Sequence, residues 1–169
     1  MIADKELTQL IEKLPADSYE SGQAICEQLL SGGKETVVRL VEIVGDQFGD
    51  SDGIQPKYAL HGAVHHASRP GAETQRKLVA ETLIGQLDAD HSDELKAFIV
   101  RQLQLCGRAQ EISKLAALLD DERLCDPAVQ AITAIGGNEA IKALRTALPK
   151  SDGRCKLAIE QAIKALSHR

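Results

Sequence analysis

The segment Tyr58-Ala59-Leu60-His61-Gly62-Ala63-Val64-His65 carries the side chains whose types and spacing come nearest to chemistry. On a helix, His61 and His65 lie one turn apart on one face, where two imidazoles could share a metal ion. Tyr58 precedes them on that face. With about 100° of rotation per residue, Leu60, Ala63, Val64 and Ala67 form the buried stripe, and Tyr58, His61 and His65 lie on the side away from it. A metal site needs further ligands, and no Asp, Glu or Cys in a neighbouring helix is identifiable as one. The expectation is therefore a polar helix face without a metal.

Other reactive residues lead to equally plain readings. Cys26, Cys106, Cys125 and Cys155 form no CxxC or other metal-ligand spacing. Three of the four fall on or beside an apolar stripe, so buried reduced thiols are the default. Cys125 and Cys155 both sit near the starts of helices in successive pairs, which makes a disulfide between them conceivable and leaves open whether they pair. The run Ser31-Gly32-Gly33-Lys34-Glu35-Thr36 lacks the spacing of a phosphate loop and follows a helix, so it reads as a helix stop with a glycine cap. Asp120-Asp121-Glu122 is an acidic turn, and three consecutive side chains cannot converge enough oxygens on a cation. No catalytic residue and no cofactor are expected.

The elements that must position these residues are helices. The 169 residues include two Phe, two Tyr and no Trp, so the interior is built from Leu, Ile, Val and Ala, among good helix formers. Periodicity and punctuation place helices near 3–13, 17–31, 34–45, 56–68, 72–88, 92–106, 110–120, 127–135, 138–148 and 153–167. Pro15 separates the first two; Gly32-Gly33 and Pro70-Gly71 end the second and fourth. Asp126-Pro127 reads as an N-cap followed by Pro at the first helical position. Gly45 to Gln55, rich in Asp and Gly, is the one long loop. Short, half-apolar helices are unstable alone, so stripes such as Val37, Leu40, Val41 and Val44, or Ile159, Ala162, Ile163 and Leu166, must be buried by pairing and stacking.

Self-similarity organises the helices into pairs. A shift of 29 superimposes Val100 on Val129, Leu103 on Ile132, Cys106 on Ile135 and Gly107 on Gly136. The register continues past the turn: Ile112 falls on Ile141, Leu115 on Leu144 and Leu119 on Leu148. A looser shift of 38 lays Ala59, Leu60 and Ala67 over Ala97, Phe98 and Leu105.

The run Asp126-Pro127-Ala128-Val129-Gln130, continuing to Ile135-Gly136-Gly137-Asn138-Glu139-Ala140-Ile141 and Leu144, resembles a short HEAT repeat of the kind also found in phycobilisome lyases. The resemblance extends over roughly residues 56–167, and Lys57 to Gly107 also resembles HEAT segments of large bacterial multidomain proteins. It implies an all-α fold, a right-handed α-α superhelix of about five helix pairs near 3–31, 34–68, 72–106, 110–135 and 138–167, in a single domain over 1–169. Family repeats carry Asp before the second helix and Arg after its Val. Here Val100-Arg101 keeps the Arg and Val129-Gln130 does not, which predicts a weakened Asp–Arg ladder.

The resemblance further implies a scaffold whose second helices line a concave binding face. The contact residues expected there are Tyr58, His61, His65, Arg101, Gln104, Gln130, Thr133, Glu160 and Lys164. HEAT-like enzymes that excise alkylated bases rely on aromatic walls and a basic cleft, and iron-dependent HEAT hydroxylases rely on several His-Glu pairs; neither set occurs here. Tetrapyrrole handling in the concave groove, as in the lyase relatives, is the alternative, though no specific motif supports it. The expected function is a non-catalytic protein–protein interaction module whose partner is another protein or a neighbouring domain of a longer chain.

Charge narrows the partner. A net −5 argues against a nucleic-acid surface, which needs clustered Lys and Arg. Residues 140–169 depart from this, with seven basic residues against Asp152 and Glu160, a net +5. That reads as a solvated terminal face or a dock for an acidic neighbour. No apolar run approaches the 18 residues of a membrane span, and Met1 leads straight into a charged amphipathic helix, so a cytoplasmic location is expected.

Overall fold

Helix-forming stretches separated by Gly, Pro and Ser become ten helices in the computed structural model, which describes residues 2–49 and 54–168. They are α1 (Asp4–Glu12), α2 (Tyr19–Ser31), α3 (Gly33–Asp46), α4 (Ile54–Ala67), α5 (Glu73–Gln86), α6 (Asp93–Cys106), α7 (Ile112–Ala116), α8 (Cys125–Ile135), α9 (Gly137–Ala147) and α10 (Gly153–Ser167). No strand occurs among the described residues. Local chemistry sets most boundaries. Ser18 and Ser21 form a reciprocal capping box at the start of α2, and Ser92 accepts from the Leu95 amide at 3.2 Å to start α6.

Three boundaries differ from the sequence expectation. The turn that leads into α8 is held by Asp121, whose Oδ1 accepts from the amides of Arg123 at 2.8 Å and Leu124 at 3.2 Å, and the residue that flanks the helix is Leu124, without a side-chain cap. The helix then starts at Cys125, so Asp126 and Pro127 fall inside its first turn, where a missing N–H still costs no bond. The segment expected as a helix near 110–120 is a single α-turn flanked by 3-10 turns at Ala109–Glu111 and Ala117–Asp120. The expected loop Gly45–Gln55 is shorter, since α3 runs to Asp46 and α4 begins by Ile54; its residues 50–53 lie outside the described ones.

The helices form two layers. α2, α4, α6, α8 and α10 pack in that order side by side, while α3 packs on α5 and α7 on α9. Within each pair the odd helix leans on its even partner, as α5 does on α6 and α9 on α10. One apolar core runs the whole length between the layers, from Leu7 through Leu40, Leu60, Leu103 and Ile132 to Leu166. Each fully buried Leu or Ile contributes roughly 1.5–3 kcal/mol of transfer free energy, which offsets the entropy of ordering short helices.

Burial tests the two repeat registers. The shift of 29 holds: Val100, Leu103, Leu115, Val129, Ile132 and Leu144 are all core. Its last copies, Ile135, Ile141 and Leu148, are only half-buried. The shift of 38 is off by one. Leu60, Val64 and Ala67 in α4 match Ile99, Leu103 and Cys106 in α6, all at 0% exposure, which is a shift of 39; Leu105, which the other register places opposite Ala67, is 38% exposed.

Polar contacts tie successive pairs. The Arg76 guanidinium of α5 donates to the carbonyls of Cys106 at 2.9 Å and Gly107 at 2.7 Å, satisfying orphan acceptors at the end of α6. An Asp–Arg ladder is present, but through other arginines than expected. Arg123 reaches Asp93 at the start of α6 at 2.6 Å, and Arg154 reaches Asp126 at the start of α8. The carboxylates sit where the positive ends of the helix dipoles favour them. Arg101 takes no part in it among the described residues. Edge-on packing of Phe48 and Phe98, with centroids 6.2 Å apart, fastens the end of α3 to α6.

Candidate functional site

The expected contact residues all fall on even-numbered helices, and the structure gathers them unevenly. Tyr58, His61 and His65 do share the outward face of α4, and all three are exposed. Gln104 of α6 donates to Gln130 of α8 at 3.1 Å, joining two more. The Thr133 hydroxyl is turned onto its own helix, donating to the Val129 carbonyl at 2.6 Å. Arg101, Glu160 and Lys164 are exposed and, among the described residues, join no hydrogen bond or ion pair that would link them to the others.

Around the α4 face the chain builds a groove. Leu14 to Ser18, the connection from α1 to α2, forms one wall; α2 and α4 form the floor and the other wall, enclosing about 520 Å³. Tyr19 and Gln23 enter from α2, Tyr58, His61 and His65 from α4, and Arg69 lines it from just beyond the end of α4. The volume falls in the range that accommodates a drug-sized ligand or a few residues of a peptide. A smaller groove of about 340 Å³ between α7 and α9 sets Lys142 and Lys150 beside Asp120 and Glu139 and contains no aromatic side chain.

Four residues in or beside the larger site escape the sequence reading. Gln102, buried on α6, places its Oε1 2.9 Å from His61 Nδ1 while its own amide nitrogen lies 3.5 Å from the Phe98 carbonyl. With an amide oxygen as acceptor, Nδ1 must carry the proton, and in the neutral ring the lone pair is left on Nε2. His66, which the helical pattern puts beside the apolar stripe, is 4% exposed. Arg69 donates through Nε to the His66 carbonyl at 2.9 Å and through Nη2 to His66 Nε2. The spacing His66-x-x-Arg69 was the available signal for that pair. Tyr19 follows the Ser18 cap directly, but nothing local says that it lines the same groove as Tyr58.

Electrostatics of the groove follow from this packing. Burial pushes the His66 imidazole below the ordinary histidine range, and the adjacent Arg69 charge adds to the effect; Glu27 opposes it and His65 reinforces it. Burial likewise pushes the Cys26 thiol up, against a smaller opposing effect of Arg69, so the thiol stays protonated and unreactive. Among the described residues no three His, Cys, Asp or Glu side chains converge on a point that could hold a metal ion.

The His66 environment predicts an acid sensitivity. Folded His66 resists protonation that the unfolded chain accepts from about pH 6.5 downward, so the unfolded state binds more protons and stability falls as pH drops through that range. Denaturation midpoints at pH 7.5 and 5.5 should therefore differ less in His66→Gln, which keeps an acceptor for Arg69. An equal drop in both proteins would dismiss His66 as the source.

No protein-family model matches the chain, and no curated protein matches it either. The site must be read from its own geometry.

Cysteines settle differently from the default. Cys26 and Cys106 are buried free thiols, whereas Cys125 and Cys155 are joined in a disulfide with Cα atoms 6.0 Å apart. Stacking of α10 on α8 brings their first turns together, which the pair register alone does not measure. No helix among the described residues is long and apolar enough to cross a membrane.

Proposed function

We propose that this chain is a non-catalytic interaction module, built as a right-handed superhelix of HEAT-type helix pairs, and that its partner docks in the groove between α2 and α4. One observation carries the reading. Both tyrosines of the chain and three of its five histidines line that single groove, in a protein with almost no other aromatic surface. Tyr19 and Tyr58 are 72% and 50% exposed, and an exposed pair of rings with polar tips is what recognition surfaces use to bury apolar area while staying wet at the rim. Binding fits better than catalysis, because the one thiol in the groove, Cys26, is held protonated.

The partner is another protein or a neighbouring domain of a longer chain. Tetrapyrrole handling, the alternative raised by the resemblance to lyases, uses the same groove and is separated from peptide docking by titration with biliverdin against peptides. A cytoplasmic location fits the two free thiols, but disulfides are rare in a reducing cytosol, so it holds with Cys125 and Cys155 reduced there.

The test compares Tyr19→Ala/Tyr58→Ala with Glu160→Ala/Lys164→Ala as baits on source-cell lysate, with quantitative mass spectrometry. Loss of the two rings should reduce recovery of the specific partner by about tenfold or more, as truncating hot-spot aromatics does. The second variant should leave it unchanged. Equal recovery with all baits would place the docking surface elsewhere.

A further inference from the structure

We propose that the α2–α4 groove is a carboxylate receptor, taking an extended, mainly apolar segment of a partner protein with one of its carboxylates seated on Arg69. The inference rests on the docking reading above and names the chemistry that fills the groove.

Arg69 differs from the arginines that the fold engages, and from Arg101 and Arg145, which also meet no carboxylate among the described residues but stand exposed on their helices. Arg39, Arg108, Arg123 and Arg154 each pair with a carboxylate, and Arg76 is engaged by two helix-end carbonyls. Arg69 is half-buried, lines the groove and is held by neutral acceptors, the carbonyl and Nε2 of His66. No carboxylate of the described residues lies within ion-pair distance of it. Those two bonds fix the plane of the guanidinium. Of its five N–H donors they use two, leaving donors for a carboxylate, whose paired oxygens match the fork. His66 is thus a positioning residue, and its low affinity for protons keeps Nε2 available as an acceptor for Arg69.

The surroundings define what accompanies the carboxylate. Asp17 is the single acidic residue on the groove wall, while His61 and His65 add imidazole N–H donors or acceptors along the floor. Tyr19 and Tyr58 offer two exposed ring faces to apolar side chains, and both hydroxyls are able to donate to a peptide carbonyl, that of Tyr19 while accepting from Gln23 Nε2 at 2.7 Å. Residues 1–55, which supply the α1–α2 side of the groove, carry eleven acidic side chains against four basic ones, so that side repels a polyanion. Nucleic acid and polyacidic tracts are thereby disfavoured. A segment with one carboxylate among apolar residues gains the charge-assisted fork and the ring contacts with little of that repulsion.

The experiment titrates the ¹⁵N-labelled full chain with capped hexapeptides of Leu, Ala and Phe bearing one central Glu, with the same peptides carrying Gln or Lys in its place, and with biliverdin. The Glu peptide should give saturable amide shifts at Tyr19, Tyr58, His65 and Arg69, with the Gln peptide roughly tenfold weaker, the size of a lost charge-assisted hydrogen bond. Arg69→Gln should bring the Glu peptide down to the affinity of the Gln peptide and leave the latter unchanged, a coupling that a general loosening of the groove would not produce. If that variant unfolds, the Glu against Gln comparison on the unaltered chain decides alone. Equal binding of Glu and Gln peptides overturns the carboxylate assignment and leaves docking in the groove standing. Shifts confined to Lys142, Arg145 and Lys164 overturn both, as does a groove that answers to biliverdin and to no peptide. Absence of groove shifts with every probe at millimolar concentration also overturns the inference.

Discussion

Opening the Cys125–Cys155 disulfide is expected to cost the native state roughly 3.5 kcal/mol, the chain entropy restored by releasing a loop of 30 residues. Where that loss appears follows from the position of the bond. It joins the buried first residue of α8 to the first turn of α10 and so encloses α9. α10 is the last helix of its layer and is covered on one side only: Ile159, Ala162 and Leu166 are buried while Leu157 is 59% exposed. A terminal unit of a stacked array has one interface where an interior unit has two, so it depends most on a covalent tie. Reduction should therefore speed amide exchange across α9 and α10 by about two orders of magnitude, with little change in α4 and α5. The free thiols do not complicate the measurement, since burial pushes Cys106 up to about 12 and raises Cys26 too. Urea denaturation with and without reductant, with Cys125→Ala/Cys155→Ala as control, makes the comparison. Coincident midpoints in oxidised and reduced protein would refute the assignment.

What could be read from the sequence is what neighbouring residues decide. Ten helices, their order and most of their ends follow from periodicity and from Gly, Pro and Ser, because caps and breaks are set within a few residues. The glycines of the 29-residue register show the limit of such reading. Gly136 needs its type for backbone reasons, with φ +70° and ψ −164°, a region that side chains rarely enter. Gly107 has an ordinary φ of −59°, and there a Cβ would lie 2.4 Å from the Leu103 carbonyl oxygen and 2.8 Å from Ile135 Cδ1. One aligned residue thus serves two purposes that no local pattern separates. The groove is a stronger case. Tyr58, His61 and His65 were legible as one face of one helix, but Tyr19 and Gln102 reach them only through the packing of α4 against α2 and α6. The exposure of Arg101, Glu160 and Lys164 was likewise legible, while their separation from the groove was not. The ladder expected through Arg101 runs through Arg123 and Arg154, because which arginine meets an aspartate depends on the stagger of successive pairs.

Leu103→Ala should be the most damaging single truncation, lowering stability by about 3–5 kcal/mol, the range for a fully buried Leu whose site cannot collapse. Val64, Leu103 and Ile132 occupy matching positions in α4, α6 and α8, each at 0% exposure. α6 is the central member of its layer, packed on α4 before it and α8 after it. A void there weakens two interfaces, and rigid helices on both sides prevent it from filling. Leu166→Ala, at the open end of α10, should cost less, because the terminal helix can shift to close the gap. In a chain coupled only through neighbours, a weakened middle also divides cooperativity, so Leu103→Ala should broaden the urea transition or split it in two. Equal losses for the two variants would argue against a stack coupled through its central pair. The same variant bears on binding. α6 supports the groove from behind, through Gln102 on His61 and the packing of α6 on α4, so Leu103→Ala should weaken peptide binding as well as stability. Reduction of the disulfide, which acts at the far end, should lower stability and leave the groove unchanged. A module whose docking site depended on the basic C-terminal pair would show the opposite pattern.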